Sequence, residues 1–76
     1  MDNVNHPKHY CQGEIECIDC IKAATVNKAG IEAFCVGNII KYLFRYEAKN
    51  GIEDVRKAKF YIDRLIHELE LNEPQK

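Results

Sequence analysis

The stretch IEAFCVGNIIKYLFRYEAKNGIEDVRKAKFYIDRLIHELEL, residues 31–71, decides the fold. Its apolar residues recur at three- and four-residue intervals on both sides of one break, Asn50-Gly51, which is the pattern of two amphipathic helices. The first spans about 31–48, with Val36, Ile39, Ile40 and Leu43 on a single side that has to be core. Asn50-Gly51 is the stop, carrying a residue in the left-handed region. The second helix runs over about 52–71 and opens on Glu53 and Asp54, where the helix dipole favours negative charge. Val55, Ala58, Ile62, Leu65, Ile66 and Leu69 form a heptad-like stripe along it, predicting that it packs on a partner helix. A link this short joins the two as an antiparallel hairpin.

Working back towards the N-terminus, Ile15, Ile18, Ile21 and Ala24 recur at i+3 with Glu14, Glu16, Asp19 and Lys22 between them, so 14–24 reads as a short helix. The TVNKAG segment at 25–30 is a loop. Residues 1–13 are polar, contain Pro7 and Gly13 and show no period, which predicts an extended arm able to lie along a neighbour, and 72–76 should fray. No strand is predicted. The expectation is an all-α single domain over 1–76: an extended arm at 1–13, a helical core at 14–71 made of a short helix and a long antiparallel hairpin, and a tail.

A chain of 76 residues is small enough for size to limit function. A compact monomer of this mass exposes about 4,800 Å² of the roughly 12,800 Å² of the open chain, leaving a thin core and no second domain. A two-substrate cleft lined over ~300–1,000 Å³ does not fit easily in one such protomer, so a ligand site would be shared among copies. Lys and Arg number 11 against 12 Asp and Glu, a net charge of -1, which disfavours general nucleic-acid coating because phosphate neutralisation needs a basic excess. No apolar run approaches the roughly 18 residues of a membrane span, and MDNVNHPKHY lacks the order of a signal peptide, so no membrane partner and a cytosolic setting are expected. In a reducing compartment Cys11, Cys17, Cys20 and Cys35 read as small apolar thiols. The Cys17/Cys20 spacing with His6 and His9 upstream allows a zinc site to be drawn, but it lies in a helix without a knuckle turn, and no metal is assigned.

Opposite the core side of the first long helix, Asn38, Lys41, Arg45 and Lys49 fall within an arc of about 80°, flanked by Phe34 and Tyr42. Such a face suits phosphate and base: Arg offers a fork, Lys a point charge and Tyr a stacking plane. A solvated row of charges paired with acids is the alternative. On the last helix Glu53, Lys57, Phe60, Tyr61 and Arg64 share a face, so two large aromatics stand where a monomer would expose them, which points to a homo-oligomer. Gly37, inside a helix, points to close approach of a backbone, a ligand or a packed neighbour. His6-Pro7-Lys8-His9-Tyr10 in the arm offers imidazoles that can donate to phosphate.

Four ordered blocks carry a resemblance: His6-Pro7-x-His9-Tyr10; Gly13-x-Ile15-Glu16-x-Ile18-Asp19-x-Ile21; Gly37-Asn38-x-Ile40-Lys41-Tyr42-Leu43-x-Arg45-Tyr46; and Lys49-x-Gly51-x-Glu53-Asp54-x-x-Lys57-Ala58-x-x-Tyr61. From His6 to about Leu65 the chain resembles the SaV-like family of small bacteriophage domains, long catalogued as a domain of unknown function. Family membership implies phage origin, the cytoplasm of an infected bacterium as the setting, and nucleotide-related work. Longer relatives are described as deoxynucleoside monophosphate kinases without a Walker loop, and no GxxxxGK[ST] occurs here. Cys20 and Phe60 depart from the usual apolar or aromatic residue and from Trp.

The expected function is capture of a phosphorylated nucleotide in pockets between protomers. Lys41, Arg45, Lys49 and Lys57 serve phosphates, Tyr42 or Tyr10 stacks a base, and His6, His9 and Asn38 donate hydrogen bonds. Such a binder needs no cofactor and suits a sponge for a host immune signalling nucleotide. The alternative is a nucleoside monophosphate kinase, which requires ATP and Mg²⁺ held by Glu16, Asp19, Glu53 or Asp54. A third reading is a protein inhibitor acting through Phe60 and Tyr61.

Overall fold

The computed structural model describes residues 11–12 and 15–73. Its elements in chain order are β1 (Cys11–Gln12), β2 (Ile15–Glu16), α1 (Cys17–Thr25), α2 (Gly30–Arg45) and α3 (Ile52–Asn72). The protein is mainly helical, as the periodicity predicts. One feature was not predicted: β1 and β2 pair antiparallel, with Cys11 opposite Glu16 and Gln12 opposite Ile15. The short helix accordingly begins at Cys17 and not at 14, because Glu16 keeps an extended backbone (φ −85°, ψ 146°) as its N-cap.

The end of α1 is closed by side chains. Lys28 Nζ donates to the Ala24 carbonyl at 2.9 Å, an acceptor that the last turn leaves without a helical partner, and the Thr25 hydroxyl donates back to the Ile21 carbonyl at 2.7 Å. Cys17, Cys20, Ile21 and Ala24 take the covered side of α1, while Ile18 is 64% exposed, so the thiols replace one of the predicted apolar positions. Gly37 explains how closely α1 approaches α2: a Cβ there would stand 3.3 Å from Ile21 Cγ2. The mid-helix glycine therefore serves packing between two helices of one chain.

α2 stops at Arg45, earlier than the periodicity predicts. The chain tightens into a turn over residues 46–50, in which the Ala48 N–H donates to the Arg45 carbonyl and the Gly51 N–H to the Tyr46 carbonyl at 2.7 Å. Asn50 and Gly51 then redirect the chain. Gly51 has φ 54° and ψ −127°, and the Asn50 carbonyl accepts from the Glu53 N–H at 3.1 Å, which is the geometry of a type II′ turn with glycine at its first central position. α3 follows for 21 residues, about 31 Å, and includes Asn72, which the sequence assigned to the tail.

α2 is the central helix, packed on α1 and more extensively on α3. Contacts that pair Arg45 with Asp54 and Tyr42 with Tyr61 show α2 and α3 running antiparallel. Among the described residues the fully buried apolar side chains are all small: Cys17, Cys35 and Ala58. Val36, Ile39 and Ile40 are half-buried and Leu43 is 44% exposed, so the side predicted as core is only partly covered.

α3 is rotated from the predicted seam. Its inward positions are Asp54, Ala58, Tyr61, Leu65 and Glu68, at alternating four- and three-residue steps. Of the predicted stripe only Ala58 and Leu65 point inward, while Val55, Ile62, Ile66 and Leu69 are exposed. The cause is the demand of Asp54 for Arg45, which outweighs the preference of the aliphatic stripe for the same groove.

The turn makes a direct prediction. Gly51→Ala places a Cβ on a backbone with positive φ and should lower unfolding stability by about 1–3 kcal/mol in a denaturant titration, with the helical circular dichroism of the folded state unchanged.

Candidate functional site

The second half of α2 presents Asn38, Lys41, Tyr42 and Arg45 at helical spacing, and α3 sets Lys57, Phe60 and Tyr61 beside them. Tyr42 and Tyr61 stack across the two helices, with ring centroids 6.0 Å apart and planes 15° from parallel. Phe34 and Phe60 meet the Tyr61 ring edge-on, at 5.7 Å and 5.1 Å. Both phenylalanines stay exposed, at 56% and 65%, so the aromatic ladder reaches the surface. Tyr61, predicted to be a stranded interface aromatic, is instead half-buried within this ladder.

Three cations gather on one ring. Lys41 Nζ lies 4.6 Å, Arg45 Cζ 4.8 Å and Lys57 Nζ 5.7 Å from the Tyr42 centroid. An aromatic face stabilises nearby positive charge through its quadrupole, so the ring offsets part of the repulsion among the cations around it. Lys57 is exposed and Lys41 half-buried, leaving both ammonium groups able to accept an anionic partner. Asn38 donates its amide to the Phe34 carbonyl of its own helix at 2.8 Å.

Arg45 departs from the predicted solvent-facing row of cations. It is buried, and its guanidinium grips Asp54 with a fork: Nε donates to Oδ2 at 3.3 Å and Nη2 to Oδ1 at 3.1 Å. Asn50 completes the coordination of that carboxylate, donating from Nδ2 to Oδ1 and from its backbone N–H to Oδ2, both at 3.3 Å. Asp54, with no exposed surface, thus accepts four hydrogen bonds and is a structural acid. Burial alone would raise its pKa, but the bonds from Arg45 and Asn50 and the Arg45 charge outweigh that and hold it below its ordinary value of 3.8.

The remaining predicted residues are dispersed. Lys49 is exposed in the turn that follows α2, so it does not continue the helical row of Lys41 and Arg45. Glu53 is exposed at the start of α3 and pairs with Arg56 at 3.3 Å. Asp19 is exposed on α1, and Glu16 is half-buried at its N-cap. Among the described residues no three His, Cys, Asp or Glu side chains come together as a metal site. His6, His9 and Tyr10 lie outside the described residues. What sequence reading missed was the pairing across the turn: Arg45 with Asp54, and Tyr42 with Lys57, are both centred between Lys49 and Asn50, a signal that an antiparallel hairpin makes readable.

A family model described as a protein of unknown function, DUF3310, matches residues 4–63. The chain belongs to the DUF3310 family. The matched span holds both partners of the Arg45–Asp54 pair and the Tyr42–Tyr61 stack. This DUF3310 chain is also similar to the "Gene 1.7 protein" of Enterobacteria phage T3, 34% identical over 64 residues, which are 78% of this chain and 39% of that relative. It therefore spans about two fifths of the length of the curated relative it matches. The family description assigns no function and the relative's name states no activity. No solved structure matches the chain.

The buried pair sets the effect of mutation and of acid. Arg45→Ala or Asp54→Ala, each leaving one partner uncompensated, should lower the thermal midpoint by more than ~10 °C. Because the folded pKa of Asp54 lies below its unfolded value, its contribution is complete above about pH 4 and is lost as pH falls through the folded pKa. Thermal melts from neutral to acid pH should show that loss in the native chain, and Asp54→Asn should remove that component of it.

Proposed function

We propose that this protein binds a phosphorylated nucleotide on the Tyr42 face. The observation that carries the reading is the convergence of Lys41 and Lys57 on the ring of Tyr42, itself stacked on Tyr61 and flanked by exposed Phe34. Two ammonium groups beside a partly exposed aromatic surface suit a ligand that combines negative charge with a flat ring. Lys49 and the arm residues His6, His9 and Tyr10 are assigned supporting roles at the phosphate or base. Arg45 acts through structure, holding α2 and α3 in the relation that places the two lysines.

We favour capture over turnover. Sequestration of a nucleotide, such as a host immune signal in the cytoplasm of a phage-infected cell, requires affinity alone and no cofactor. The kinase reading needs ATP and carboxylates for Mg²⁺. Of the four acids proposed for it, Asp54 is fully engaged with Arg45 and Asn50, and Glu53 pairs with Arg56.

Calorimetry of the purified chain against a panel of linear and cyclic nucleotides tests the proposal, with mass spectrometry of any co-purifying ligand to guide the panel. At least one nucleotide should bind, and Lys41→Ala and Lys57→Ala should each weaken it about tenfold, the loss for one charge-assisted contact, with the thermal midpoint nearly unchanged. Absence of binding across the panel at high protein concentration overturns the reading. Formation of nucleoside diphosphate from monophosphate, ATP and Mg²⁺ overturns the preference for capture. The two lysines, not Arg45, are the residues to vary, because loss of Arg45 damages the fold.

A further inference from the structure

The rotation of α3 leaves a second heptad outside. Ile52, Val55, Ile62, Ile66 and Leu69 are 63%, 40%, 40%, 50% and 43% exposed, and their spacing is that of a coiled-coil seam with Lys59 at the missing place. The stripe is about 26 Å long at 1.5 Å per residue. Aliphatic surface of this extent falls in the range of the largest patches that monomers tolerate, ~300–600 Å². It lies one position on from the inward row of Asp54, Ala58, Tyr61, Leu65 and Glu68, and on the opposite side of α3 from Lys57 and Phe60.

We infer that two copies of this chain pair through this stripe, α3 against α3 and antiparallel. Charge chooses both the occupant and the direction. Beside the stripe α3 carries Arg56 near its start and Glu70 near its end, with Glu73 in line with the stripe beyond Leu69. Antiparallel pairing brings Arg56 of each copy towards Glu70 and Glu73 of the other, whereas parallel pairing keeps them at opposite ends, and the helix dipoles add to the preference. With Ile62 opposite the partner's Ile66, Lys59 falls beside the partner's Leu69, and Arg56 comes within reach of the partner's Glu70 and Glu73.

Lys59 is suited to its place in the seam. Its ammonium is held by Asp63 at 2.9 Å, so the aliphatic stem can cover the stripe while the charge stays at the rim. A polar residue at one seam position also restricts the register. Arg56 is free to change partners, because its contact with Glu53 is between two side chains about two-thirds exposed, and such pairs contribute little. In this register the Lys59–Leu69 spans of the two stripes close on each other and bury, with the flanking stems, less than about 1,000 Å², the size of a weak interface, so the dimer is concentration-dependent.

This interface goes beyond the nucleotide reading and does not rest on it. It leaves the Tyr42 faces of both copies open, in contrast to the expectation that Phe60 and Tyr61 form the contact. Sedimentation of the full chain over a concentration series, without nucleotide, tests it. The native chain should self-associate, Ile66→Glu should weaken association at least tenfold with unchanged helical circular dichroism, and added salt should weaken it too. Arg56→Glu and Glu70→Arg should each weaken the dimer, and the two combined should restore it. A native chain monomeric even at ~500 µM overturns the inference. So does association, as a dimer or a larger assembly, that Ile66→Glu and Ile62→Glu leave unchanged, or failure of the combined charge reversal to restore pairing.

Discussion

The buried pair of Arg45 and Asp54 is the constraint from which the rest of the hairpin follows. A carboxylate with no exposed surface is tolerated only when its lone pairs are filled, and Arg45 with Asn50 supplies four donors from two sides of the turn. Meeting that demand sets where α2 meets α3 and how α3 is rotated about its axis. It also draws the Arg45 guanidinium under the Tyr42 ring, joining the structural clamp to the surface where Lys41 and Lys57 converge.

The clamp has a consequence for packing. With Asp54 turned inward, the row behind it supplies Ala58, Tyr61 and Leu65 to the hairpin, and the aliphatic residues one position on are left outside. Small side chains at Cys17, Cys35 and Ala58 allow close helices but little buried apolar area. The interior that the described residues form is thin. The pairing of α3 that we infer is a physically direct remedy that would leave the aromatic and cationic face available for other work.

Much of the architecture was legible in the sequence. The three helices, the loop before α2, the hairpin and a glycine of positive φ at its turn follow from spacing and turn chemistry, and the face bearing Asn38, Lys41 and Tyr42 from the helical wheel. The β1–β2 pair was not legible, because two-residue strands have no period to detect. The early end of α2 was not either: Tyr46 and Ala48 continue an acceptable helical pattern, and it is the route of the chain back to Asp54 that ends it at Arg45. Lys49 left the predicted row for that reason.

The sequence by itself determined which segments are helical, since that depends on local periodicity and on a glycine able to take a positive φ. It also determined that aromatics and cations are abundant near the hairpin's end. Only the tertiary structure decided the rotation of each helix, and hence which charges are ligands in waiting and which are structural. One wheel cannot separate Lys41 from Arg45, because both lie on the same face of α2. The difference arises from a carboxylate on another helix, whose burial makes one of those cations indispensable to the fold and leaves the other accessible.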